Sequence, residues 1–325
     1  MTTPVGLVDG TFAGTDLHAV YELQRNEIGA PHIPALVELP DVGPHTIGVG
    51  KVAANLSVPF ELRSYGWQLQ HGARISASDQ LRATSHRDSA IQAMADVAAD
   101  DAVPEVSVRL LGPVALMMSG WLPSGQRILR DAGARDDIAG AWAEGAATLI
   151  SRIRTVLGAA PIILVDERQA HLAVNGQVRT ASGASFERSI DVSEIRSYWE
   201  TAVAQEASVL VETSDELVET AADVGGIMLD WPQGRNRTTE RTWERIDGLV
   251  QAGSPVALQF EHHDNPERYA EELVEQYLDW GVSHKGLEHV YFVRRFDRAG
   301  EVETGSGLQW LRVLADHAAG YSATL

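Results

Sequence analysis

The chain has no cysteine among its 325 residues. That absence excludes disulfides, thiol nucleophiles and any cysteine-ligated zinc or iron–sulfur centre. Lysine is almost missing, with only Lys51 and Lys285, and the formal net charge is -19. No basic stripe offsets that charge, so a phosphate backbone would be repelled and no nucleic-acid partner is expected. The acidity reads instead as a solvated surface. No apolar run approaches the roughly 18 residues of a membrane span. The opening Met1-Thr2-Thr3-Pro4-Val5 lacks a basic stretch followed by an apolar one, the mark of a secretion signal. The expectation is a cytoplasmic protein without a membrane partner, acting on a small molecule.

What the sequence does contain is a repeated alternation. Short β-like runs and longer helical patterns succeed one another, which favours a parallel α/β architecture. The candidate strands are Val5–Thr11, Pro59–Leu69, Glu105–Leu111, Pro161–Val165, Ser208–Val211, Gly226–Asp230, Pro255–Phe260 and Val290–Phe296. Ile162-Ile163-Leu164-Val165 is continuously apolar, as a strand covered on both faces should be. Eight candidates match the strand count of a closed (β/α)8 barrel, although the second also reads as a hairpin arm outside it. Between them, Ala134–Leu157 places Ile138, Trp142, Leu149, Ile153 and Val156 at helical spacing. Asn265-Pro266 opens a helix whose face is Tyr269, Leu273, Tyr277 and Leu278. Asp191 with Glu194, and Thr213 with Glu216, have capping-box spacing. Nothing divides the chain, so residues 1–325 are expected to form one barrel domain. Loops or hairpins are inserted near 31–60 and 175–190, within them Pro31–Pro44 and Asn175–Ser189.

A barrel of this kind works at the C-terminal ends of its strands. The segments closing the candidate strands are Asp9 to Phe12, Gly112-Pro113, Asp166-Glu167, Glu212 to Ser214, Asp230-Trp231, Glu261 to Asp264, and Arg294-Arg295. That ring is rich in carboxylates and histidine. Glu261-His262-His263-Asp264 is its densest cluster, where His262 could serve as a general base or join Glu261, Asp230 or Glu212 on a metal. The alternative makes Asp264 a helix cap and the histidines solvated loop residues.

Several segments together resemble one family. Gly10-Thr11-Phe12-Ala13-Gly14-Thr15, Gly112-Pro113-Val114 and Val165-Asp166-Glu167 are similar, in order and spacing, to strand-end motifs of cobalamin-independent methionine synthases. Gly43-Pro44-His45-Thr46-Ile47-Gly48 and Val178-Arg179-Thr180-Ala181-Ser182-Gly183 resemble its short single-barrel members. The similarity runs from about Gly10 to Leu308. It implies a (β/α)8 TIM barrel of the methionine synthase / uroporphyrinogen decarboxylase type. It also implies methyl transfer from a methylated folate to the thiol of homocysteine, with zinc binding the thiol and lowering its pKa. In that family the positions of Asp166 and Glu167 hold the substrate's amino group, those of Thr11 and Phe12 its carboxylate, and Gly10 belongs to the same substrate-binding turn. The zinc ligands do not carry over. Glu212 and Ser214 stand in the place of a His-x-Cys pair, Asp230 in that of an acidic ligand, and Ser306 in that of a late cysteine. A soft nitrogen and sulfur set has become a hard oxygen set, which suits magnesium, calcium or manganese better than zinc.

Each assignment has a structural alternative. Asp166 and Glu167 could pair with arginine or cap a helix, and Thr213 or Ser214 could cap the helix that follows. Gly10 and Gly14 could serve a tight turn alone. Trp121 and Trp231 could stack on a flat ligand or fill the core. Three functions stay open: a divergent methyltransferase-like enzyme, a non-catalytic ligand-binding barrel, and a different reaction using a metal held by oxygen and histidine.

Overall fold

The computed structural model describes residues 5–70, 77–98, 103–204, 207–232, 237–260, 265–279, 290–299 and 301–324. Among the described residues nine strands run in chain order: β1 (Val5–Phe12), β2 (Phe60–Arg63), β3 (Gly66–Leu69), β4 (Glu105–Leu111), β5 (Ala160–Glu167), β6 (Ser208–Thr213), β7 (Gly226–Asp230), β8 (Val256–Gln259) and β9 (Val290–Ala299). Seven of them form one parallel sheet in the order β1-β9-β8-β7-β6-β5-β4. Helices cross between successive parallel strands, as that pairing requires. Among them are Ala132–Leu157, Val192–Val203, Val218–Val224, Arg237–Gln251 and Pro266–Asp279. No helix among the described residues is long and apolar enough to cross a membrane.

The two sheet edges, β1 and β4, are joined by an irregular stave, residues 33–38. Ile33 donates to Gly6 (2.8 Å) and accepts from Val8 (3.0 Å), while Phe12 donates to Glu38 (2.9 Å). On its other side Leu36 donates to Ser107 (2.8 Å) and Ser107 donates to Pro34 (2.9 Å). This stave, with isolated parallel bridges to both neighbours, nearly closes the barrel. It corrects one expectation: the segment Pro31–Pro44, read as an inserted loop or hairpin, supplies a barrel wall. Of the two readings of Pro59–Leu69, the hairpin arm is the one found, β2 antiparallel to β3 outside the main sheet.

Side-chain alternation along the strands separates two cores. Val106, Val108, Ile163, Val165, Val211, Leu229, Leu258 and Phe292 face outward to the helices. Val5, Leu7, Ile33, Ile162, Leu164, Leu210, Met228, Ala257, Tyr291 and Val293 form a separate cluster, the filled interior of the cylinder. Local signals set the helices. Asp191 accepts from Ser193 (2.8 Å) and Asn265 from Arg268 (3.0 Å), each fixing the first turn of its helix. Gly158, at a φ of 67°, ends the helix Ala132–Leu157.

Candidate functional site

Two residues beyond the apolar interior, the same inward rows turn charged. Leu7 is followed by Asp9, Ser107 by Arg109, Leu164 by Asp166, Leu210 by Glu212 and Val293 by Arg295. These five side chains meet at the strand ends. Arg109 lies at the centre, forked onto Asp9 through Nε (2.7 Å) and Nη2, with Asp166 at 2.9 Å and Glu212 at 2.8 Å. Arg295 donates to Asp9 (3.1 Å) and to Glu212. Arg168, half exposed, donates to Asp166 at 3.0 and 2.8 Å. The set holds three carboxylates and three guanidiniums.

Burial alone would push the carboxyl of Asp9 up, yet Arg109 and Arg295 hold it below the usual carboxylate range. Asp166 is likewise pulled to about 2: burial opposes, while Arg168 and Arg109 favour the ionised form. Arg109 is driven further above its ordinary value by Asp9, Glu212 and Asp166, against the effect of its burial. Asp9 is only 1% exposed, so the network is an interior one, in which each charge depends on its partners. Four polar atoms at the same end, Arg109 Nη1, Glu212 Oε2, Gln259 Oε1 and Ser214 Oγ, are buried without a hydrogen-bond partner, the first two meeting their partners by charge contact alone.

Glu167 belongs to a different arrangement. Fully buried, its carboxyl accepts from the backbone N–H groups of Val114 (2.8 Å) and Ala115 (2.9 Å), at the start of the helix Pro113–Ser119. Pro113 has no N–H to satisfy, so the glutamate meets the next two donors. Gly112 makes room for it, since a Cβ there would overlap the carboxylate. Burial pushes this carboxyl up to about 8, despite the two amides that favour its ionised form.

The remaining expected site residues are placed as follows. Gly10 has a φ of 124° and lies against the Phe296 backbone, at an irregularity in the β1–β9 register that involves Thr11 and Phe12. Phe12 is buried, its ring 5.1 Å from Phe296 and its N–H taken by the Glu38 carbonyl. Trp231 is also buried, donates to Gln276 (3.0 Å) and packs on Trp243 and Phe260. Trp121 lies beside the β2–β3 hairpin, with Arg127 stacked 3.8 Å from its ring centre and Tyr65 on its edge. Asp230 ends β7 and is exposed. Ser306 lies in the helix Glu301–Thr324 and donates to the Glu303 carbonyl (3.2 Å). Glu261, His262, His263 and Asp264 fall outside the described residues.

These placements test the zinc that the resemblance implies. Glu212 has arginine on both oxygens, Ser306 is turned to its own helix, and no thiolate exists in the chain. Among the described residues no group of three or more His, Asp or Glu side chains is arranged to hold a metal ion. The donors present do not fit the family's zinc. The residue that organises the strand ends, Arg109, was missed in the sequence. Its signal was the one cation within β4, two residues beyond Ser107 on the inward row.

By sequence, no family model and no curated relative matches the chain. Its fold is that of a parallel (β/α) barrel, and solved structures share it. A methyltransferase from Methanosarcina mazei is similar with a TM-score of 0.58 at 13% identity, over 97% of this chain and 94% of that one. A B12-independent methionine synthase from Shewanella sp. W3-18-1, in complex with selenomethionine, is similar with a TM-score of 0.56 at 10% identity, over 100% of both chains. At such identities the likeness is one of fold.

Proposed function

We propose that this chain is a divergent barrel of the methionine synthase type, acting at its strand-end face on a small substrate with an amino and a carboxylate group. The observation that carries the reading is that five inward rows, four of them apolar one layer below, turn charged at the end where barrel chemistry is done. Asp166 would take the ammonium group, and Arg168, half exposed beside it, the carboxylate. The family's own reaction, methyl transfer from a methylated folate to homocysteine, needs a metal-bound thiolate, and the oxygen and guanidinium groups here supply no soft ligand. A second reading, a barrel that binds without catalysis, draws on the way Arg109 and Arg295 already pair with the carboxylates by charge within the chain.

Calorimetric titration with amino acids, homocysteine and methionine among them, tests the substrate class. Binding should weaken at least tenfold in Asp166→Asn, and an unchanged affinity would remove Asp166 from the site. Methyl transfer to homocysteine, assayed with and without added zinc, should show no turnover. Zinc-dependent turnover would restore the family reaction.

A further inference from the structure

The strand-end carboxylates pose an electrostatic problem that is separate from substrate. Asp9, Asp166 and Glu212 come from three strands and share Arg109 as a common partner. Asp9 and Glu212 are almost wholly buried, at 1% and 6% side-chain exposure. Buried carboxylates in contact with a common centre cannot all stay ionised without positive charge, because each pays a desolvation cost of several kcal/mol and each repels the others. Proteins commonly meet this need with a divalent cation. Here two buried guanidiniums meet it. Arg109 spans all three acids, and Arg295 closes the ring between Asp9 and Glu212.

We infer that Arg109 and Arg295 together replace a divalent cation, so that this cluster of carboxylates excludes metal ions. Two guanidiniums carry the same double positive charge as magnesium, manganese or zinc. Their planar forks also lie against the oxygens that a metal would use, by hydrogen bonds to Asp9 and Glu212 Oε1 and by charge contact to Glu212 Oε2. A divalent ion approaching Glu212 or Asp166 would have to displace Arg109 from its partners. A guanidinium does not deprotonate near neutral pH, so the displaced arginine would stay as a buried, unpaired cation beside the incoming one. Charge neutralisation is thus retained while Lewis acidity is given up. A guanidinium can hold an anion by hydrogen bonds, but it cannot coordinate a thiol and lower its pKa as a metal does. The inference concerns the cation at this face and does not depend on which substrate binds there.

Metal content decides it. Wild-type protein incubated with Mn2+, Mg2+ or Zn2+, desalted and measured by elemental analysis, should retain less than about a tenth of an equivalent. Arg295→Met uncovers Glu212 and Asp9, and should bind Mn2+ at least tenfold more tightly than wild type by calorimetry. That gain should vanish in the double variant R295M/E212Q. Arg295→Lys keeps the charge and should stay metal-free. The inference is overturned if wild-type protein holds an equivalent of metal that Glu212→Gln removes, or if a folded Arg295→Met variant gains no affinity. The wild-type measurement needs no variant, so a failure of Arg295→Met to fold leaves the inference exposed to refutation. A metal-free protein that binds no amino acid would defeat the proposed function alone, and a metal-loaded one that binds amino acids would defeat this inference alone.

Discussion

The interior of the barrel and its mouth are made by the same strands, two residues apart, on different physical terms. Below, Leu7, Leu164, Leu210 and Val293 pack by burial, which is non-directional and tolerant of exchange among apolar side chains of similar size. Above, Asp9, Asp166, Glu212 and Arg295 each need particular partners around Arg109. Loss of one interior methyl group leaves a void. Loss of one charge at the mouth leaves its partners buried and uncompensated. The lower layer therefore contributes stability that many sequences could supply, whereas the upper layer fixes a single arrangement.

The contrast is sharpest at its centre. Arg109→Met should cost about 3–5 kcal/mol in urea unfolding, the usual penalty for breaking a buried ion pair from one side. Leu164→Ala, one layer below, should cost about 3 kcal/mol through lost burial and the cavity left behind. If the arginine variant proves the milder of the two, the mouth is more hydrated than the geometry indicates and the contrast fails. A pH-dependent effect should come from Glu167, whose carboxyl is raised from an ordinary 4.5 to about 8. A raised acid favours the neutral form in the folded state, so its contribution to stability is complete below about pH 4.5 and is lost as pH rises through about 8. Asp9 and Asp166 are lowered instead, so they lose their contribution only on acidification below the ordinary 3.8 and do not overlap that window. Melting temperatures at pH 5 and pH 9 should therefore fall more in wild type than in Glu167→Gln, and parallel curves would show that another group titrates. Arg168→Met should be the mildest change, no more than about 1 kcal/mol, because its pair with Asp166 is half exposed.

Much of the framework was legible because fully buried parallel strands leave a plain mark. Ile162-Ile163-Leu164-Val165 could hardly be anything else, and β4 and β7 fall on their expected bounds. The closing stave was illegible for an equally physical reason. Ile33 to Glu38 contains Pro34, which has no N–H for a ladder, so the stretch reads as a loop. Yet the Pro34 carbonyl still accepts from Ser107, and that one bond helps tie the stave to β4. At the mouth, Asp166 and Glu212 could be found because they end strands, whereas Arg109 lies two residues inside one and needs the register to be noticed. Glu167 shows the limit from the other side. Its identity marked it as a strand-end acid, but only the fold reveals that it serves the helix beginning at Pro113.

The pairing of β1 with β9 has a bearing on how the molecule is assembled during synthesis. Val5 lies opposite Tyr291, so β1 leaves the ribosome long before its neighbour on that side exists. Until then only the stave covers it, on the opposite edge. Contacts so distant along the chain are slow to form, and an uncovered parallel edge invites pairing with other chains. The nascent protein is thus most prone to aggregate in the interval before residues 290–299 emerge.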